Sequence, residues 1–451
     1  MKLDQKDIIQ IKAAFNEMQS REDLLHLLNQ VKPLIYGKKT RPFELKQLTW
    51  YASPMLNNNR YVEFKIVKKS GTQRSIHAPV KGLKALQKTL ALILQCVYKP
   101  HKAAMGFVRE KSIVDNAKIH TGSNYIYNID LKDFFHSIDQ ARVWRCLQLK
   151  PFNLIDEIQK PVSSKKNEKL IAESAEIFPK SPQTAVVKFT DGSTAFINLK
   201  HGFKSNGDSL TAIFCDENSN ELLNDWDIVK VGKALWVVKR DMEDSCISND
   251  LSRKGLASTI ASLCCTEIEV ERVNEKGEWE KVKRNVLPQG APTSPVITNI
   301  VCQKLDYLLS GVAKRFGLKY SRYADDITFS SMHNVYQPDS EFLKELHRII
   351  AEQKFHIKES KTRLQKDGYR KEVTGLLVNE KANVQQRYIK QLRMWLYYWE
   401  RYGYERASGF FLQQYIADKG HVKKGAPNMA NVIAGKLDYL KMVKGAENEL
   451  Y

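Results

Sequence analysis

Three aspartates dominate the chemistry this sequence offers. Asp130 closes the apolar, β-prone run 125–129 in NIDLKDFF. Asp325 and Asp326 sit together in YADD, between the β-prone runs YSRY and ITFS. A carboxylate at a strand end or hairpin turn is held rigidly, which suits a hard cation. Mg²⁺ wants oxygen ligands in near-octahedral geometry and usually takes a few carboxylates together with phosphate oxygens. Two such ions a few Å apart lower the pKa of an attacking hydroxyl and stabilise a leaving pyrophosphate. An Asp-Asp pair in a turn is by itself most often solvated. Its place between two strands, downstream of a strand-ending Asp, gives it weight.

Positioning such groups needs a strand for Asp130, a hairpin for Asp325-Asp326 and a core beneath both. Residues 1–45 read as short amphipathic helices, with Ile8, Ile9, Ile11, Phe15 and then Leu24, Leu25, Leu27, Leu28 at helical spacing. Residues 60–80 alternate like a basic hairpin around Ser70-Gly71, and a helix is expected from 81 to about 98. Between 148 and 245 the character changes. KPVSSKKNEK reads as a linker, followed by the β-like runs TAVVKF, STAFINL, SLTAIFC, WDIVKV and ALWVVK, with turns at Asp191-Gly192 and Asn206-Gly207. Helical patterning resumes at LASTIASLCC, a helix is expected over 296–308, and the chain beyond Val384 is helical and aromatic.

Composition narrows the class. The chain has 451 residues, 43% of them hydrophobic, enough for two or three domains with a sizeable core. Lys and Arg number 71 against 51 Asp and Glu, a net charge of +20 that suits a polyanionic partner. Residues 148–245 carry −2, so the excess lies elsewhere and the segment reads as a separate β-rich insert. Seven cysteines show no metal-site or disulfide spacing, and no run is apolar enough to span a membrane. A reduced, cytoplasmic setting in a bacterium is the expectation.

Several motifs, in order, resemble those of reverse transcriptases. NIDLKDFF resembles the first palm motif of that family, LPQGAPTSP (residues 287–295) the second and YADD the third. The resemblance implies an α+β right-hand polymerase of fingers, palm and thumb, with a helical N-terminus and a β-rich insert in the palm. The expected divisions are 1–45 for the N-terminal helices, 46–147 for fingers and first palm part, 148–245 for the insert, 246–380 for the remaining palm and 381–451 for the thumb. It also implies that Asp130, Asp325, Asp326 and the Leu131 carbonyl bind two Mg²⁺ ions, with Mn²⁺ as a substitute. Lys361 in HIKESKTRL would face the triphosphate and protonate pyrophosphate. Lys68 and Arg74 would grip the triphosphate, with Lys65 and Lys69 as alternatives to Lys68. Gln289 and Gly290 would approach the incoming deoxynucleotide, and Phe135 would be the ring that excludes a 2′-OH. Asp133 is expected to be a structural or capping residue.

Two short elements resemble those of bacterial retron reverse transcriptases: N-A-x-x-H at Asn116 to His120 and V-T-G at Val373, Thr374 and Gly375. GKLDYLKMVKG resembles the end of their thumb. That likeness implies a structured non-coding RNA as template, priming from an internal guanosine 2′-OH, a branched RNA–DNA product and a role in anti-phage defence. Arg387 and Arg393, among thumb aromatics, are expected RNA contacts with the signature residues. The insert is expected to touch an effector or toxin protein, an idea that intact partner binding after deletion of 155–240 would remove. The alternatives are another defence or CRISPR-associated reverse transcriptase, or a protein that mainly sequesters RNA or an effector.

Overall fold

The computed structural model describes residues 3–53, 59–67, 71, 73–155, 253–274, 277–419 and 425–445, with seven strands between 172 and 239. Lys68 and Lys69 lie outside the described residues, as does the turn Asp191-Gly192. The chain divides into two compact units, 1–155 with 252–451, and 156–251.

In the larger unit, α1 (Gln5–Glu17), α2 (Arg21–Tyr36) and α3 (Leu45–Ala52) come first. Ser20 and Asp23 form a reciprocal capping box that starts α2. The stripe of Ile11, Phe15, Leu24, Leu27 and Leu28 is buried, and α1 and α2 both pack on α4 (Lys81–Val97). Before α4, β1 (Tyr61–Val67) and β2 (Gln73–Pro79) form the expected antiparallel hairpin. Next come α5 (Ile113–Ile119), β3 (Tyr125–Asp130) and α6 (Gln140–Gln148).

The smaller unit is β-rich, as its alternation predicts. β4 (Ala172–Ile177), β5 (Thr184–Phe189) and β6 (Thr194–Asn198) form one antiparallel sheet. β7 (Lys204–Asn206), β8 (Ser209–Thr211), β9 (Trp226–Val231) and β10 (Ala234–Lys239) form another. Its first boundary is later than expected. Phe152 and Leu154 are buried in the core of the larger unit, so the chain leaves that core only after Ile155, not at 148.

After the insert come α7 (Arg253–Cys264) and the hairpin β11 (Thr266–Val273) with β12 (Trp279–Val286). The helix expected over 296–308 is two, α8 (Ser294–Val301) and α9 (Gln303–Arg315), broken at Cys302. β13 (Lys319–Tyr323), β14 (Asp326–Ser331), α10 (Glu341–Glu352), β15 (Arg363–Lys366) and the two-residue strands β16 (Glu372–Val373) and β17 (Leu376–Leu377) follow. The last helices are α11 (Gln386–Lys419), bent at Gly403, and α12 (Met429–Lys444).

One antiparallel sheet, in the order β13-β14-β3-β15, carries the aspartates. Side chains alternate across a strand. Tyr127 and Ile129 of β3, with Ile327 and Phe329 of β14, go into the main core. Asn128 and Asp130 stand on the other face with their cross-strand partners Thr328 and Asp326. Asn128 donates to Thr328 Oγ1 at 3.0 Å and accepts from Gln365 of β15 at 2.5 Å. The sheet therefore has an apolar face on the main core and a second face that runs from the buried Ile126 through polar pairs to the carboxylates.

The hairpin β13–β14 is pinned from beneath by a buried ion pair. Arg322 and Asp306 of α9 have no exposed side-chain surface. Two guanidinium nitrogens donate to the two carboxylate oxygens at 2.7 Å each. Arg322 also donates to Asn299 Oδ1 at 3.0 Å and to the Ala324 carbonyl at 3.1 Å, while Tyr320 Oη donates to Asp306 at 2.7 Å. Removing one member of a buried pair leaves the other charge uncompensated, so Asp306→Asn is expected to lose about 3–5 kcal/mol of stability. Chemical denaturation at pH 7 measures this, and a loss below about 1 kcal/mol would show that the pair does not anchor the hairpin.

Candidate active site

The YADD turn is a tight connection in which Tyr323 pairs with Asp326 and Ala324 takes the left-handed conformation, φ 58°. A non-glycine residue rarely adopts it without surrounding support. The support is visible. Arg322 holds the Ala324 carbonyl, and Leu131 N–H donates to the Asp325 carbonyl at 3.1 Å. The Asp130 carbonyl accepts from Lys358 N–H at 2.8 Å, so both ends of this strand junction are tied. Gly106 presses on the turn from the side: a Cβ there would meet Ala324 N at 2.5 Å. Met105 N–H donates to the Arg322 carbonyl at 2.8 Å, and Asn299 donates to the Gly106 carbonyl at 3.0 Å.

These contacts bring most of the expected site together around one cavity of about 540 Å³. Asp130, Leu131 and Asp325 line it with Arg74, Phe135, Gln289, Gly290 and Lys361. The Gln289-Gly290 turn is fastened to the β1–β2 hairpin, His77 N–H donating to the Gln289 carbonyl at 2.9 Å. Gly290, at φ +124°, lies so close to β2 that a Cβ would meet the His77 carbonyl at 2.8 Å. Glycine is needed there for both reasons. Phe135 packs edge-on against Phe134, which stacks on Phe355 at 5.7 Å, so the ring is backed by core.

Asp326 is set apart from the other two. It borders a neighbouring cavity shared with Asp130, Lys361, Arg363, Thr374 and Gly375. Among the described residues no three His, Cys, Asp or Glu side chains close on one point, so there is no all-protein cage for a metal. Asp130 and Asp325 with the Leu131 carbonyl still fit Mg²⁺, which is bound through one or two carboxylates plus substrate phosphates. Electrostatics favour a cation. Burial and then the charge of Asp130 push the Asp325 carboxyl up, and burial with Asp325 and Asp130 pushes Asp326 up to about 6. Mutual repulsion of this kind is what a divalent cation relieves. Lys361 partly offsets it, its Nζ lying 2.5 Å from Asp130 Oδ1.

Asp133 caps no described helix; α6 begins at Gln140, with Asp139 at its N-cap. Asp133 instead takes a left-handed turn at φ 45° whose carbonyl accepts from Ser137 N–H at 2.9 Å.

The two short signature elements meet behind the sheet. His120 is buried, with ring nitrogens 2.7 Å from Ser321 Oγ on β13 and 2.8 Å from Ser330 Oγ on β14. Ser321 donates to Asn116 Oδ1 at 2.6 Å, and Asn116 donates to Thr374 Oγ1 at 3.4 Å. Thr374 and Gly375, at φ 48° and 81°, form the two-residue turn between β16 and β17, a hairpin type that requires positive φ at both positions. The RNA contacts expected of Asn116, His120 and Val373 are corrected accordingly. All three are buried and bind protein, whereas Thr374 and Gly375 border the open cavity beside Asp326. On α11, Arg387 and Arg393 are exposed, and Arg387 pairs with Asp418 at 3.0 Å.

Sequence reasoning missed Gly106, Phe107, Arg322, Asp306 and Asn299. Their partners are distant in the chain, and only Arg322, two residues before Ala324, carried a positional hint.

The profile of the reverse transcriptase (RNA-dependent DNA polymerase) family matches residues 66–171 and 146–390. The chain belongs to that family. Its fold is the α+β right-hand arrangement expected of a reverse transcriptase, with the four-stranded sheet as its palm. The chain is similar to retron Mx162 reverse transcriptase of Myxococcus xanthus, 27% identical over 373 residues, covering 79% of this chain and 56% of the relative. It is similar to retron Ec86 reverse transcriptase of Escherichia coli, 24% identical over 339 residues, covering 74% and 68%. It spans about half the length of two Myxococcus xanthus relatives, 56% of the Mx162 enzyme and 55% of retron Mx65 reverse transcriptase. Among solved structures, a Candida albicans telomerase with a fragment of telomeric RNA aligns over 85% of this chain and 64% of its own, at 12% identity and TM-score 0.36. No helix among the described residues of this reverse transcriptase is long and apolar enough to cross a membrane.

Two outcomes are expected from this geometry. Gly106→Ala must displace the YADD turn and should lower primer extension by about a hundredfold, whereas Gly311→Ala, with open space around it, should not. Equal activity of the two variants would remove the buttressing role. Burial also pushes His120 down to about 3 from 6.5. The unfolded chain therefore takes up a proton below pH 6.5 that the folded chain refuses until about pH 3. Stability present above pH 6.5 falls with acidification, by up to about 1.4 kcal/mol per pH unit from this group. His120→Gln should flatten that slope between pH 6 and 4 in denaturation curves, and an unchanged slope would refute it.

Proposed function

We propose that this protein copies a structured non-coding RNA into DNA, starting from the 2′-OH of an internal guanosine and leaving a branched RNA–DNA product, in anti-phage defence. One observation supports the chemistry above others: Asp130 from a strand end and Asp325 from the facing turn line a single cavity with Arg74, Gln289 and Phe135. Mg²⁺ held there, or Mn²⁺ in its place, would supply hydroxyl activation and charge stabilisation on the leaving pyrophosphate.

The chain's own groups do the rest. Arg74, with Lys68 or a neighbouring lysine, grips the triphosphate, and positive charge fixed around a transferring phosphoryl group lowers its barrier. Lys361 stands beside Asp130 and delivers a proton to pyrophosphate as it departs. Gln289 and Gly290 position the incoming nucleotide, while the Phe135 ring lies under its sugar and excludes a 2′-OH. Thr374, Gly375 and the exposed Arg387 and Arg393 of α11 contact RNA, reading shape and phosphates. Similarity to the retron enzymes over three quarters of the chain supports the choice of template and product. The insert, at −2 the nearly neutral part of a basic chain, is read as a contact for an effector protein. Its charge disfavours phosphate.

The test is to express the protein with its native flanking DNA and run the co-purified nucleic acid on a denaturing gel. A short DNA band that shifts on RNase or debranching treatment is expected. Asp325→Asn should eliminate it, by at least about a hundredfold, while the protein still carries RNA. RNA alone from the unsubstituted protein would refute the retron reading, and unchanged DNA from Asp325→Asn would refute the assigned site.

A further inference from the structure

Phe107 combines a half-exposed aromatic ring with an unusual backbone conformation. It is 40% exposed, and its backbone takes the left-handed conformation at φ 61°. Phenylalanine has no side-chain hydrogen bond to support that conformation, so the residue is strained by its surroundings rather than by preference. The surroundings are the catalytic turn itself. Gly106, immediately before it, is wedged against Ala324 and Tyr323, and both Met105 and Gly106 donate their N–H groups to the Arg322 carbonyl. The loop is therefore indexed to the turn that carries Asp325.

The conformation sends the ring into the 540 Å³ cavity rather than into the core. There it faces Phe135, with ring centroids 6.2 Å apart and planes tilted by 49°. Two rings thus reach the same space from two segments, one from the strand end after Asp130 and one from the loop clamped to the YADD turn. A strained, half-exposed ring gains little from burial where it stands, and strain retained beside a reacting centre points to use there.

We propose that Phe107 is a specificity-determining residue, forming with Phe135 a two-sided slot for the sugar of the incoming nucleotide. Phe135 closes the slot beneath the 2′ position. Phe107 closes it from the side of the catalytic turn and limits how far the Phe135 ring can swing aside to admit a 2′-OH. Because Gly106 ties Phe107 to Ala324, the slot and Asp325 keep their spacing together. The proposal rests on the reading of Phe135 as the sugar-excluding ring.

The experiment compares steady-state incorporation of dGTP and GTP by the full chain on oligo(dG) annealed to poly(rC). Phe107→Gly removes the ring and accepts positive φ without strain, so the variant is expected to fold. Its ratio of kcat/KM for dGTP over GTP should fall by about tenfold, because GTP use rises in absolute terms through a lower KM. Phe107→Tyr should keep the original ratio. Phe135→Ala is run alongside, and its ratio should fall further. If Phe107→Gly loses dGTP and GTP use in equal proportion, or leaves the ratio unchanged, the proposal is overturned and Phe107 only supports the turn. If Phe135→Ala leaves the ratio unchanged, the reading of Phe135 fails instead, whatever Phe107→Gly does.

Discussion

Three aspartates at one end of a sheet repel one another, and the fold must hold them there. The Arg322–Asp306 pair is what makes this tolerable. It is fully buried and bidentate, with its remaining hydrogen-bonding capacity directed to Asn299, Tyr320 and the Ala324 carbonyl. A buried ion pair of this kind contributes little net stability over an apolar substitute, since desolvation offsets most of the attraction. What it contributes is geometry. Asp306 itself lies on α9 and Asn299 on α8, Tyr320 lies on the strand of Arg322, and the Ala324 carbonyl lies in the turn. The turn therefore has one place to be, and Asp325 with it.

A second network fixes the same hairpin from the opposite side. His120 bridges Ser321 and Ser330, one on each strand of the hairpin, and passes through Ser321 to Asn116 and on to Thr374. Each acceptor is met by a neutral donor, which is why the histidine can stay uncharged in a buried position. The short elements N-A-x-x-H and V-T-G are thus two ends of one clamp. Their residue types resemble a contact motif, yet most of them never reach the surface. The exposed product of the clamp is the Thr374-Gly375 turn, which lines one cavity with Asp326.

Much of this was legible in the sequence because periodicity and turn chemistry are local. β3, β5, β9 and β10 fall on their alternating runs, and the β1–β2 hairpin and the terminal helices fall where spacing places them. Asp130, Asp325, Arg74, Gln289 and Gly290 arrive around one cavity as their motifs imply. What sequence could not give was long-range. Asp306 and Arg322 lie on different elements, and nothing in either segment marks a partner. Gly106 reads as an ordinary loop glycine until the turn it touches is in place. The insert boundary was misplaced for a similar reason: nothing local ties Phe152 and Leu154 to the preceding segment, because the core they complete is built by residues far away. Asn116 and His120 were expected to contact RNA because their motif resembles a retron element, and a short motif does not reveal that its polar groups are satisfied inside a buried network.

The charges sort by the same logic. Lys361 touches Asp130 and Arg74 lines the same cavity, so cations and carboxylates stand together around it. Rigidity is costly in such a place, because a tight turn of charged residues has no intrinsic reason to stay folded. The chain meets that cost with backbone and side-chain contacts to a single four-residue turn: Arg322 below, Gly106 beside and Leu131 across. Removing the surface charges would leave this framework standing. Removing the framework would leave the charges with nothing to hold them apart.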